Sequence, residues 1–120
     1  PADRNACWRR LEKQYLPYKN YDGCSFLEEG CYWFQQNHIF QSPFYYIDYT
    51  LAQVCALQFF VRMQKKDPTA WRDYIHLCTL GGTMSFTNLV KEANLTIPFE
   101  DGCMERVVKE IDAYLETFNN

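Results

Sequence analysis

The stretch 42-SPFYYIDYTLAQVCALQFFVRMQKK-66 decides the fold of this chain. Ser42 is a suitable N-cap and Pro43 suits the first helical position, so the pattern predicts a long helix over residues 43–66. Ile47, Leu51, Val54, Leu57, Phe60 and Val61 recur at helical spacing and mark an expected core face. Tyr45, Tyr46 and Tyr49, separated by three and four, then crowd one side of the first two turns. His38 stands just before that start.

Working outward, Asp3 caps an expected first helix over residues 3–16, closed by Pro17, and the Asn-rich and Asp-Gly segment 18–25 reads as a loop. Residues 27–40 read as a second, partly irregular helix broken at Gly30. Downstream, Asp67-Pro68 opens a helix over 69–80 that Gly81 and Gly82 end. Ser85 starts a short helix through Ala93 with Asn94 as its stop, and a last helix over 101–117 lines up Met104, Val107, Val108, Ile111 and Leu115. No alternating strand pattern occurs. The expected architecture is all-α, a bundle of about five to six helices forming a single domain over residues 1–120.

The chain has 120 residues, 48% hydrophobic and 18% aromatic, which is a folding composition and enough for one modest core. A net charge of -3 and a pI near 5.3, with no basic patch, argue against nucleic acid as a partner. No apolar run approaches the roughly 20 residues that span a bilayer, and the charged N-terminus has no signal-peptide core, so no membrane partner is expected and the cytoplasm is the expected location. The six cysteines, Cys7, Cys24, Cys31, Cys55, Cys78 and Cys103, are scattered and read as reduced, mostly buried thiols. None has the short gap of a structural zinc site, and His38 and His76 are the only histidines, so no metal ligands are expected within the chain.

Three phenols where a core needs only hydrocarbon carry hydroxyls that each want a partner when buried. Together with an imidazole they make a donor cluster suited to an oxyanion or a peptide carbonyl. Taken alone, the pattern equally describes aromatic packing with hydroxyls reaching water, and His38 a hydrogen-bonded structural residue. His76, between Ile75 and Leu77, reads as a packing residue, while Asp48, Glu28 and Glu29 read as solvated acids.

The segments HIFQSPFYYIDYTLAQVCALQFF, AWRDYIHLCTLGGTMSFTNLVKEANL and PFEDGCMERVVKEIDAYL closely resemble the C-terminal end of oligoendopeptidase F-like zinc metallopeptidases, relatives of thimet oligopeptidase. The similarity runs from about Trp8 to Leu115, through the Gly81-Gly82 break. It implies a larger helical peptidase body around a deep channel, in which this chain is the C-terminal portion of the catalytic domain. The resemblance further implies that His38, Tyr46 and Tyr49 act in catalysis and that His38, Tyr45, Tyr46 and Tyr49 bind the substrate, with Tyr45 the least direct match. The implied cofactor is zinc in the full-length enzyme, held by ligands outside this chain, since the HExxH helix of such proteins lies upstream. The implied partners are an oligopeptide substrate and the N-terminal part of the same enzyme.

On that reading the chain alone is inactive, its opening on Pro1 without a start methionine suggests a processed or truncated piece, and exposed core surface makes self-association of the fragment an expectation. A stand-alone helical protein-interaction module, binding a partner through exposed aromatics, is the alternative.

Overall fold

The computed structural model describes residues 1–118. Among these there are seven α-helices, one short 3-10 turn and no strand: α1 Ala2–Tyr15, α2 Ser25–Glu28, a 3-10 turn Cys31–Gln35, α3 Asn37–Gln41, α4 Ile47–Gln64, α5 Ala70–Leu80, α6 Phe86–Glu92 and α7 Cys103–Glu116. The all-α expectation holds. The helix count exceeds five to six because the expected second helix is three short pieces. Gly30, at φ 89, turns the chain between α2 and the 3-10 turn in a backbone region that bars a continuous right-handed helix.

The chain divides into two compact units, Pro1–Tyr46 and the residues from Ile47 on. In the first unit α1 packs on the 3-10 turn. Asn5 joins the two: its Nδ2 donates to Cys31 Sγ at 3.0 Å and its Oδ1 accepts from Trp33 Nε1 at 2.8 Å. Trp33 is buried and stacks on Phe34 and Phe40, with ring centroids 4.3 and 5.6 Å away. A second tie is built around the buried carboxylate of Glu12, which accepts from Arg9 Nη1 at 2.8 Å, from Trp8 Nε1 at 3.2 Å and from the Tyr21 hydroxyl, and lies 3.3 Å from Lys19 Nζ. Burial works to raise the Glu12 pKa, but the donors from Tyr21, Arg9, Lys19 and Trp8 outweigh it and hold the acid below its ordinary value. Glu28, expected as a solvated acid, is instead paired with Arg9.

In the second unit α4 packs on α5 and α7, and α5 on α6. Cys55, Phe59, Val90, Ala93 and Leu95 form its buried cluster, with Leu77 and Ile97 against them. The buried face of α4 is Val54, Cys55, Gln58 and Phe59, rotated from the expected one, and Ile47 is exposed. This helix is apolar on several sides, so its periodicity does not choose which side packs. Buried Gln58 acts as a main-chain partner: its Oε1 accepts from the Thr96 N–H at 2.8 Å and its Nε2 donates to the Thr96 carbonyl at 2.9 Å. That pair fastens the extended segment after α6 to α4 without leaving a buried polar group open.

Arg62 ties α4 to α5 and to the end of α6. Its Nε donates to Asp67 at 2.7 Å, its Nη2 to Asp73 at 2.7 Å and to Thr69 at 2.8 Å, and its Nη1 to the Ala93 carbonyl at 3.2 Å. The Arg62 hydrogen bond, helped by those from Asn94 and Arg72 against the cost of desolvation, lowers the Asp73 pKa from 3.8 to about 2. A carboxylate whose pKa is depressed on folding adds stability above its unfolded value and loses it as the pH falls through the folded one. Acid titration of the melting temperature should therefore steepen between pH 4 and pH 2, and Asp73→Asn should flatten that part of the curve; an unchanged slope would remove Asp73 from the acid transition.

The thiols are divided: Cys31, Cys55 and Cys103 are buried, whereas Cys7, Cys24 and Cys78 are exposed, and all six are free. Cys78 and His76 are both exposed on α5, so their placement in an apolar run does not bury them. The expected packing role of His76 is corrected accordingly: its Nε2 lies 3.5 Å from Glu92 at the surface.

Candidate functional site

Tyr45 and Tyr46 are not on the first turns of a helix. The helix starts at Ile47, and residues 43–46 form a turn in which Phe44 takes φ 68 and the Tyr45 N–H donates to the Ser42 carbonyl at 3.2 Å. A right-handed helix cannot pass through a residue at positive φ, which is why the Ser42-Pro43 start signal fails and the expected one-sided stripe of three phenols is lost. Left-handed backbone at a bulky residue is strained, and such strain concentrates near functional sites.

Within the first unit this turn folds the phenols back onto α3. The His38 ring lies against Tyr46 with centroids 4.9 Å apart and the planes tilted by 35°, and stacks with Tyr45 at 5.9 Å and 27°. His38 is half-buried, whereas Tyr45 and Tyr46 are 49% and 56% exposed, so the imidazole–phenol cluster is open to solvent and not sealed in hydrocarbon. Support for α3, the helix that carries His38, comes through Phe40, which stacks on the buried Trp33 that Asn5 holds. The support was missed in the sequence, since nothing in the spacing of Asn5 and Trp33 announces a contact between positions so far apart.

Tyr49 belongs to the second unit, in the first turn of α4, and is 54% exposed. Asp48 precedes it as an acidic first-turn residue, where the helix dipole favours negative charge. The chemical capacity of these side chains is donation: a phenol O–H and an imidazole N–H both bind carbonyl oxygen, and bind it more strongly as negative charge develops there.

A catalytic zinc needs three protein ligands, and among the described residues no group of three or more His, Cys, Asp or Glu stands together to supply them. Among the described residues, too, no helix is long and apolar enough to cross a membrane.

Three solved structures match the chain. Pz peptidase A, solved with an inhibitor, is 50% identical over 98% of this chain and 21% of its own, with a TM-score of 0.89. A structure described as an oligoendopeptidase F is 53% identical over 97% of this chain and 20% of its own, with a TM-score of 0.88. A third, described as an oligoendopeptidase F from Bacillus anthracis str. Ames, is 45% identical over 98% of this chain and 17% of its own, with a TM-score of 0.71. The chain thus spans about a fifth of the length of the structures it matches. No family model and no curated protein matches it. The resemblance to oligoendopeptidase F read from the sequence holds over nearly the whole chain.

Proposed function

We propose that this chain, alike over almost its full length to a fifth of an oligoendopeptidase F, is the substrate-binding C-terminal part of a zinc oligoendopeptidase that hydrolyses peptide bonds in short peptides. The carrying observation is the open cluster of His38 with Tyr45 and Tyr46. In this reading His38, Tyr45, Tyr46 and Tyr49 hydrogen-bond the backbone carbonyls of an extended peptide. When water adds to the scissile carbonyl, its oxygen gains negative charge, and the His38 N–H and the Tyr46 and Tyr49 hydroxyls stabilise that charge more than they stabilise the ground-state carbonyl.

Zinc, with ligands in the remainder of the enzyme, is the proposed cofactor, and none of the steps given to these side chains runs through it. The N-terminal remainder is the proposed packing partner. Side chains such as Phe44, at 95% exposure, with Phe26 and Phe40 half-exposed, suit a segment that a larger protein covers. The cytoplasm, where six free thiols stay reduced, belongs to the same proposal.

The test is the full-length peptidase with His38→Ala, assayed on a short peptide with its zinc content measured alongside. A fall in kcat/KM of about a hundredfold to a thousandfold at unchanged zinc is expected of a lost charge-stabilising donor. Parental kcat/KM would overturn the assignment.

A further inference from the structure

A groove in the second unit lies at the end of α4 that carries Tyr49. Asp48, Leu51 and Ala52 share one face of the start of α4 and form one wall; Phe86, at the start of α6, and Phe99 form the other. The groove holds about 530 Å³, within the range of roughly 300–1,000 Å³ usual for ligand pockets. Phe86 and Phe99 meet edge to face with centroids 6.2 Å apart, and Phe99 remains 64% exposed. An aromatic pair packed in this way still offers much unburied ring surface to an apolar group. Ala52 contributes only a methyl group where a larger residue would fill the space.

From this placement we infer that the groove is a side-chain subsite of the peptide substrate, selecting large apolar residues. The inference rests on the role proposed for Tyr49. On α4, Tyr49 is turned roughly 60° from Ala52, the wall residue nearest it, and roughly 100° from Asp48, so the phenol and the Ala52 edge of the groove belong to the same helix end. Residues of an extended peptide follow one another at about 3.3 Å, so a peptide whose carbonyl is held by Tyr49 brings a side chain within a few residues of that carbonyl to Ala52 and Phe99. Leu51, Phe86 and Phe99 favour an aromatic or branched aliphatic side chain by removing it from water. Asp48, the charged residue of the lining, opposes a second carboxylate, so acidic side chains are rejected.

The experiment uses the full-length peptidase and a set of short peptides that differ at one residue, carrying Phe, Leu, Ala or Glu at each position flanking the scissile bond in turn. At one position the parent enzyme cleaves the Phe and Leu peptides best and the Glu peptide worst. Ala52→Leu, which fills the groove, lowers kcat/KM for the Phe peptide at least about tenfold more than for the Ala peptide, the scale on which an apolar pocket discriminates. Phe99→Ala, with circular dichroism confirming that the variant folds, reduces the same preference by removing one wall. Equal effects on all four peptides, or a preference untouched by both variants, overturn the subsite. If that happens while His38→Ala still lowers turnover, the groove falls and the donor role stands; if His38→Ala is silent as well, both fall.

Discussion

On the role proposed for it, replacing Tyr49 with phenylalanine in the full-length enzyme is expected to lower kcat by about a hundredfold to a thousandfold and to leave KM within a few fold, the signature of a donor that acts mainly in the transition state. Phenylalanine keeps the ring and removes only the O–H, and at 54% exposure the ring position is not one on which the fold depends. The start of α4 also favours negative charge through its unpaired N–H groups, but that field is worth about 0.3–1 kcal/mol at an exposed helix end, against about 3–4 kcal/mol for a well-placed oxyanion donor. The phenol therefore dominates. Steady-state kinetics, with circular dichroism to confirm folding, check the result; an unchanged kcat removes Tyr49 from the reaction, and a raised KM alone makes it a binding group only.

The second large effect is structural and reaches His38 within the first unit. Gly30→Ala should unfold the packing of the first unit, because a Cβ at that position stands 2.2 Å from the Asn5 carbonyl oxygen and 2.9 Å from its carbon, both rigid backbone atoms. The φ of 89° adds a left-handed penalty of about 1–2 kcal/mol to an overpacking cost of about 1–3 kcal/mol or more. A unit this small has little stability to lose. Displacing Asn5 releases Cys31 and Trp33, then Phe40, and with them α3 and His38. Gly23→Ala is the control, for it has a similar φ of 81° but nothing within 4 Å of the added carbon. Amide hydrogen exchange over residues 31–41 should accelerate strongly in Gly30→Ala and little in Gly23→Ala; equal protection in the two variants would remove the close approach as the reason for glycine at position 30.

These two residues mark how far the sequence could be read. Elements with chemical punctuation were legible: the Asp67 carboxylate accepts the Thr69 N–H at 2.8 Å just ahead of α5, Gly81 at φ 54 ends that helix, and Ser85 is extended at the start of α6. The break at Gly30 was legible as a break, but not the splitting of the region into α2, a 3-10 turn and α3, which depends on how closely Asn5 approaches. The start of α4 was misread by four residues because Ser42 and Pro43 satisfy the rules for a helix start, while the positive φ of Phe44 is the opposite of what a bulky side chain prefers. Polar residues that hold the fold together, the buried Glu12, Gln58 and Asp73 and the half-buried Arg62, were invisible to hydrophobic periodicity, since their placement depends on partners from other elements. The candidate residues His38, Tyr45, Tyr46 and Tyr49 were named from the chemistry of the donors and from the resemblance. The contact of His38 with Tyr46 arises from a turn and not from the expected helix stripe.

The most direct measurement is a double-substitution cycle in the full-length peptidase, with His38→Ala, Tyr46→Phe and the two combined, each assayed for kcat on one short peptide. Two groups with ring centroids 4.9 Å apart that serve the same substrate oxygen give a combined loss much smaller than the product of the separate losses, since the first substitution already spoils what the second would remove. Parental turnover in the combined variant, or two losses that multiply as independent effects, would contradict the account.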